Sequence, residues 1–401
     1  MTLLYLALAL VAALGTSLTT LSLLSPIPGQ RWLLVHTVTL GVLVEMVFGL
    51  APTLTAALSR LPRPKFHWQT WLLLNGGLIL LYAGIPLVNA SLITAGGTLI
   101  FFAVVSMIKQ LVDLTRPGRT GGLPSPQPAE GPPRRSPGAK FYLAGLSYLL
   151  VGGLVGTGLW LGWSGPLHIA VPKEVHVHSN LWGFAALVMA GLLFDLYPRL
   201  TGLQIARHRM VTLTFWLMAA GALGLVLGPW LDIDSFTVYG LVLHTLGTLL
   251  MLISVFAPLV RKRGKWTNGV WHLVLAYVWF LLAVVVAPLV VAGGKVGAEV
   301  AGSGGPILIF GWILQAGYAL FPFLSARLFH PEEPAQPGGT WLSLAASNGG
   351  SVLYWISMFL AGGQGLLRGA AYLLWIVSLI PILAGLLGLV RGRMEAFNHG
   401  D

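Results

Sequence analysis

The sequence contains no cysteine. Its absence excludes disulfide bonds, iron–sulfur clusters, thiolate metal sites and covalent heme attachment through Cys-x-x-Cys-His. Any metal or cofactor in this protein would therefore be held by nitrogen or oxygen ligands.

Charged residues are also scarce, at 9% of the 401 residues, whereas a typical soluble domain has about 25%. Hydrophobic residues make up 56% of the chain. Apolar runs of about 20 residues recur along it, and a helix of that length crosses the roughly 30 Å hydrocarbon core of a bilayer. The sequence therefore predicts an all-α integral membrane protein whose surface contacts lipid.

The apolar runs predict a polytopic bundle of about twelve transmembrane helices. The predicted spans are Thr2–Leu24, Trp32–Leu58, Trp71–Val88, Leu92–Leu111, Phe141–Trp163, His176–Leu200, Met210–Trp230, Phe236–Val260, Val270–Val291, Pro306–Leu328, Trp341–Leu360 and Ala370–Val390. The longest break, residues 115–139, has seven prolines and four arginines and is predicted to be a mobile cytoplasmic loop. It separates four helices in residues 1–114 from eight in residues 140–401, and we expect all twelve to form one integrated membrane domain.

The basic residues set the topology. A net charge of +11 could indicate a nucleic-acid partner, but the basic residues lie between the apolar runs. Loops on one side of the predicted membrane hold 19 of the 23 Lys and Arg residues, and the other side holds 4. The positive-inside rule then places both termini in the cytoplasm of a bacterial or archaeal cell, with the chain in the inner (plasma) membrane. Even-numbered helices begin at the outer surface, and no nucleic-acid partner is expected.

A short pattern occurs twice. His-x4-Gly-x7-Gly is found at His36 and again at His178, 142 residues later, and each copy begins an even-numbered helix. This spacing indicates a pseudosymmetric bundle with repeated groups of helices, although two short matches can also arise by chance in glycine-rich helices. The glycines of the pattern serve close helix packing or make room for a flat cofactor.

The most informative residues are His176 and His178. On a helix, residues two apart point about 200° away from each other, so the pair could bind two different metals. In an extended segment both would face one ion instead. A third interpretation is a pair of interfacial histidines that reach water.

Other polar residues fall inside the predicted spans. His244 lies about 12 Å below the outer surface at 1.5 Å per residue. Glu45 is near mid-membrane, where a protonatable role is one interpretation, and Asp195 is expected to pair with Arg199 one turn later. The remaining histidines are expected at solvated or interfacial positions: His67, His168, His208, His272, His330 and His399.

The segment from His176 to Gly202 resembles the tenth helix of the large subunit of heme–copper oxidases and nitric oxide reductases. The residues that carry this resemblance are His176-Val-His178-Ser-Asn-Leu-Trp-Gly183, Gly191 and Tyr197-Pro198-Arg-Leu-Thr-Gly202. That family has twelve helices in pseudo-threefold arcs, cytoplasmic termini and a low-spin ligand on helix 2. The resemblance implies that His36 and His178 are the axial ligands of a low-spin heme b, and that His176 binds a second heme.

The sequence departs from this family in two ways. The histidine pair lies on the sixth predicted helix instead of the tenth, and no His-Pro-Glu-Val-Tyr-like segment or His-His pair is present. Without a three-histidine copper site, fast oxygen reduction is not expected. His244 is the remaining candidate ligand of the second heme or of copper or another metal.

Three functions are compatible with these features. The first is electron transfer, or nitric oxide or diatomic-gas binding or reduction, by an oxidoreductase-like diheme protein. Such a protein would need a cytochrome or quinol electron donor and possibly a partner subunit. The second is a secondary transporter, and the third is a heme- or copper-handling assembly factor.

Overall fold

The computed structural model describes all residues except 60, 63, 117–135, 204–207, 262–265, 330–336, 361 and 400–401. Helices make up 85% of the described residues, and no strand occurs among them. The helices are α1 (Thr2–Thr20), α2 (Gln30–Leu58), α3 (Trp68–Gly84), α4 (Ala90–Thr115), α5 (Ala139–Leu161), α6 (Pro172–Thr201), α7 (His208–Leu231), α8 (Asp234–Arg261), α9 (Asn268–Ala292), α10 (Gly294–Ser303), α11 (Ile307–Leu314 followed directly by Gln315–Phe329), α12 (Trp341–Ser357) and α13 (Gln364–His399).

The prediction of an all-helical chain with several helices able to cross a membrane is confirmed. Ten of the described helices are long and apolar enough to cross a membrane. α3 and α12, with 17 residues each, are shorter than these ten. A helix is present at each of the twelve predicted positions, and the short α10 is an addition that the hydropathy pattern did not predict.

Polar residues and glycines define several helix ends. The Asn89 side chain accepts a hydrogen bond from the Leu92 N–H at the start of α4, and Thr340 and Ser343 form a reciprocal capping box at the start of α12. Gly162 and Gly202 follow α5 and α6 with φ of 73° and 71°. Only glycine adopts this left-handed conformation without a steric penalty, so it ends a helix at low cost.

Three helices are more buried than the other membrane-spanning helices. In the most apolar 18-residue windows of α6, α11 and α2, 89%, 83% and 50% of the residues are buried, compared with 28–39% in the other seven described spans. Each of the three contains a π-helical segment: Thr37–Val44 in α2, Ser179–Ala185 in α6 and Ile307–Leu314 in α11. π-Segments are rare and often occur at functional sites.

An aromatic ring of another helix packs on a glycine in each π-segment. A Cβ atom added to Gly41 would lie 2.8 Å from the Tyr5 ring, and one added to Gly183 would lie 2.4 Å from the Tyr148 ring. A Cβ atom on Gly311 would lie 3.1 Å from the Trp279 ring. Gly41 and Gly183, the first glycine in each copy of the repeat, thus serve close packing, and Gly311 of α11 has a third contact of the same kind.

The chain divides into two compact units. One consists of Met1–Val42 and Lys265–Asp401, and the other is Leu43–Gly264. The predicted loop 115–139 lies largely outside the described residues, and the predicted division into four and eight helices stays a prediction.

Candidate functional site

The His176–His178 pair lies on the first turns of α6. Pro172 begins this helix, where its missing N–H costs nothing. Residues Pro172–His178 are α-helical, and the π-segment begins at the next residue, Ser179. The extended arrangement, in which both rings would face one ion, is therefore not the one that the protein adopts.

His176 packs against α5. Its Nδ1 lies 2.7 Å from the Gly152 carbonyl oxygen, and Asn180 bonds its main-chain carbonyl at 2.8 Å. A Cβ atom at Gly156 would lie 2.5 Å from His176 Cε1, so the ring requires the absence of a side chain there. Gly156 thus forms a notch in α5 that holds the imidazole, and the Gly152 carbonyl orients it.

His178 faces a different helix. Its Nδ1 lies 2.7 Å from the carbonyl oxygen of Leu225 on α7. The two rings of the pair thus contact α5 and α7 respectively, as the roughly 200° separation along a helix requires.

These contacts define which ring nitrogen carries the proton. A carbonyl oxygen can only accept, so Nδ1 of each ring donates, and Nε2 of the neutral imidazole has the lone pair. His36 has the same arrangement, because its Nδ1 donates to the Trp32 carbonyl at 2.9 Å and its ring stacks on Trp32 at 4.3 Å. Metal-binding histidines commonly donate their second N–H to a backbone carbonyl in this way.

His244 has the opposite arrangement. It is fully buried on α8, and its Nε2 donates to the Trp182 carbonyl at 3.1 Å. Its Nδ1 lies 3.5 Å from the Thr248 hydroxyl. The His244–Trp182 hydrogen bond joins α8 to the π-segment of α6. It uses Nε2, whereas His176 and His178 bond backbone carbonyls through Nδ1.

Apolar residues of α5, α6 and α7 and of the loop before α6 pack together at the predicted outer end of these helices. Val155, Ile169, Val175 and Val226 form a buried cluster, and Trp230 packs against it. The loop before α6 is fixed to the end of α7, because Ala170 N–H donates to the Trp230 carbonyl at 3.1 Å. Val175 belongs to α6, so the cluster packs directly beside the histidine pair.

The two intramembrane carboxyl groups differ in their surroundings. Asp195 accepts hydrogen bonds from the Tyr142 and Ser136 hydroxyls, each at 2.8 Å, and from the Gly138 N–H at 2.7 Å. Its expected partner Arg199 instead donates to the Asp195 main-chain carbonyl at 3.4 Å. Asp195 thus anchors the start of α5 against the end of α6, which is a structural role.

Glu45 is 8% exposed and begins the α-helical part of α2 that follows the π-segment. The Asn75 side chain hydrogen-bonds the Glu45 carboxyl group. Glu45 Oε1 is buried and has no hydrogen-bond partner.

The expectation for His272 was wrong. It was predicted to be solvated or interfacial, but it is completely buried and its Nε2 lies 2.9 Å from the Ser343 hydroxyl. α12 and the segment before it cover the ring, because a Cβ atom on Gly339 would lie 2.4 Å from it. His67 and His168 are exposed, as expected. The side chains of His208, His330 and His399 lie outside the described part of the chain.

Within the described residues, no group of three or more His, Asp or Glu side chains is arranged to hold a metal ion. No known protein-family model matches this chain, and no curated protein matches it significantly.

Proposed function

We propose that this chain is a heme-binding membrane protein that transfers electrons or binds a diatomic gas such as nitric oxide. The observation that supports this proposal most directly is the orientation of three imidazoles. His36, His176 and His178 each donate Nδ1–H to a backbone carbonyl, which leaves Nε2 as the coordinating atom. Nε2 of a neutral imidazole is a common metal ligand, and a hydrogen bond from Nδ1–H to a backbone carbonyl fixes the ring in that tautomer.

The resemblance to heme–copper oxidases implies that His36 and His178 hold one low-spin heme b and that His176 holds a second heme. His36 lies in the unit that contains Met1–Val42 and His178 in the unit Leu43–Gly264. Their assignment to one heme therefore rests on the sequence, through the family resemblance and the repeat. Bound heme would supply an iron centre that changes oxidation state or takes up a gas.

The residues around the pair orient the two rings. The Gly152 and Leu225 carbonyls hold the rings toward α5 and α7, so one helix can serve two sites. The apolar cluster around Val175 lowers the local dielectric, and burial is one of the properties that set a heme potential.

We further infer a pseudosymmetric bundle of twelve membrane spans. The support is the common position of the three π-segments and the aromatic ring that covers a glycine in each. The charge distribution favours cytoplasmic termini, and a cytochrome or quinol would be the electron donor because the described residues contain no soluble electron-transfer domain.

The visible spectrum of the detergent-purified protein tests the proposal. We expect sharp bands of a six-coordinate heme b after reduction. Replacement of either His36 or His178 by alanine should abolish the low-spin signal, whereas the exposed His67→Ala should leave it unchanged. A low-spin signal that survives in both His36→Ala and His178→Ala would overturn the assignment.

A secondary transporter is the second candidate. The observation in its favour is that α2 and α11 are both interrupted by a π-segment and both contain an internal proline, Pro52 and Pro322. Interrupted helices in corresponding positions are typical of transporters. A purified protein without heme bands would favour this function over the first.

A further inference from the structure

The tripeptide Asn-Gly-Gly occurs twice, each time on the helix after a π-containing helix. Asn75-Gly76-Gly77 lies on α3, which follows α2, and Asn348-Gly349-Gly350 lies on α12, which follows α11. Asn75 and Asn348 each donate to the carbonyl four residues earlier, at 3.0 Å and 2.8 Å. The two helices thus present an asparagine in the same local geometry.

The residue that meets each asparagine also has the same place in its helix. Glu45 and Gln315 are the first α-helical residues after the π-segments of α2 and α11. Each lies four residues after the glycine that an aromatic ring covers, Gly41 or Gly311. The chain therefore contains two copies of one arrangement, with a carboxyl group in one and an amide in the other.

All polar atoms of the amide in the Gln315 copy have partners. Gln315 is fully buried, its Oε1 accepts from the Ser347 hydroxyl at 3.0 Å, and its Nε2 lies 3.4 Å from Asn348 Oδ1. Trp279 Nε1 donates to the same Asn348 oxygen at 2.8 Å. A neutral side chain of this size is thus sufficient for the packing of such a pair.

The Glu45 copy leaves one oxygen without a partner. Asn75 bonds the carboxyl group, but Oε1 is buried and unpartnered. An ionised carboxylate with an unsatisfied oxygen is costly inside a bilayer, where no water compensates for its charge. A protonated carboxyl group has the same charge and nearly the same shape as the amide group of Gln315 in the other copy.

We propose that Glu45 is a membrane-buried proton-binding site that holds a proton at neutral pH and exchanges it with water. The Gln315 copy shows that the corresponding position of α11 packs with a neutral amide. The carboxyl group therefore adds a function, the reversible binding of one proton, that the amide cannot perform. The inference does not depend on heme binding.

Labelling of the full-length purified protein with dicyclohexylcarbodiimide at pH 8 tests the protonation. The carboxyl proton passes to a carbodiimide nitrogen, the carboxyl oxygen bonds to the central carbon, and an oxygen-to-nitrogen acyl shift gives a stable N-acylurea. No group leaves, so the peptide gains the mass of one carbodiimide. We expect mass spectrometry to find this adduct on Glu45 and not on Glu174, which is exposed to solvent. Absence of the adduct from Glu45 would overturn the proposal.

Infrared spectroscopy tests the exchange. The unmutated protein should show the C=O band of a protonated carboxyl group, and transfer to D2O should shift that band. Glu45→Gln should remove it, whereas Glu299→Gln, which removes a carboxylate near the predicted outer surface, should keep it. A band that does not shift in D2O would mean that the group is sealed from water and is not an exchange site. The mass measurement uses unmutated protein and stays valid if Glu45→Gln fails to fold.

Discussion

The histidines of this protein differ in the ring nitrogen that donates to a backbone carbonyl. His176 and His178 donate Nδ1–H, whereas His244 donates Nε2–H to Trp182. The sequence identified all three as ligand candidates from their position near the outer surface. Only the neighbouring carbonyls, which come from helices distant in sequence, separate the coordinating tautomer from the other one.

His244→Ala should therefore act on stability and not on ligand binding. The substitution removes the hydrogen bond from His244 to the Trp182 carbonyl, and the loss of one such bond costs on the order of 1 kcal/mol. We expect a lower unfolding temperature in detergent. The heme spectrum should stay unchanged, and the reduced protein should bind carbon monoxide to the same extent as the unmutated protein. A carbon monoxide shift that appears only in His244→Ala would mean that this histidine ligates iron.

The Glu299–Arg368 ion pair predicts a pH dependence of stability. A hydrogen bond from Ser303 and the contact with Arg368 lower the pKa of Glu299. A lowered pKa in the folded state stabilises the protein above the unfolded-state pKa, about 4.3. That stabilisation is lost as the pH falls through the folded-state pKa. The difference in unfolding temperature between the unmutated protein and Glu299→Gln should be present at pH 7 and should decrease below about pH 4. A difference that is constant across this range would contradict the assignment.

Sequence reasoning missed several buried polar residues. His272 was placed at the interface because it begins a helix, but residues about 70 positions later cover it. The Gln315–Asn348 pair was not predicted either, although the repeated Asn-Gly-Gly is a signal that could have identified it. Burial by distant segments determines these sites, and a single sequence does not reveal it.

At the scale of elements, hydropathy predicted every long helix because lipid imposes a minimum apolar length. It did not predict the three π-segments, since an apolar run does not reveal whether its backbone hydrogen bonds follow the α or the π pattern. The glycines Gly41 and Gly183 were recognised, but their role in the packing of tyrosine rings required the neighbouring helices.

The notch in α5 predicts opposite outcomes for two nearby glycines. A Cβ atom at Gly156 would lie 2.5 Å from His176 Cε1, whereas at Gly153 no atom lies within 4 Å. Gly156→Ala should displace the His176 ring, lower stability by about 1–3 kcal/mol through overpacking and reduce the occupancy of the second heme. Gly153→Ala should change neither property. Equal heme content in both variants would show that the notch does not position His176.

At the scale of the whole molecule, charge predicts the orientation in the membrane. Because the chain has no cysteine, single cysteines can be introduced without background. The positive-inside rule places Ser25 on the outer side, so Ser25→Cys should react with a membrane-impermeant maleimide in intact cells or spheroplasts. His67→Cys should react only after the membrane is permeabilised. The reverse pattern would mean that the charge count assigned the wrong side.

The most direct measurement for the central proposal is the heme-to-protein ratio of the purified full-length chain. Two sites on opposite faces of α6 predict about two hemes b per chain in the unmutated protein. His176→Ala should then retain the low-spin heme and lose about half of the total. A ratio near one in the unmutated protein would contradict the two-sided pair, and a protein without heme would contradict the proposed function as a whole.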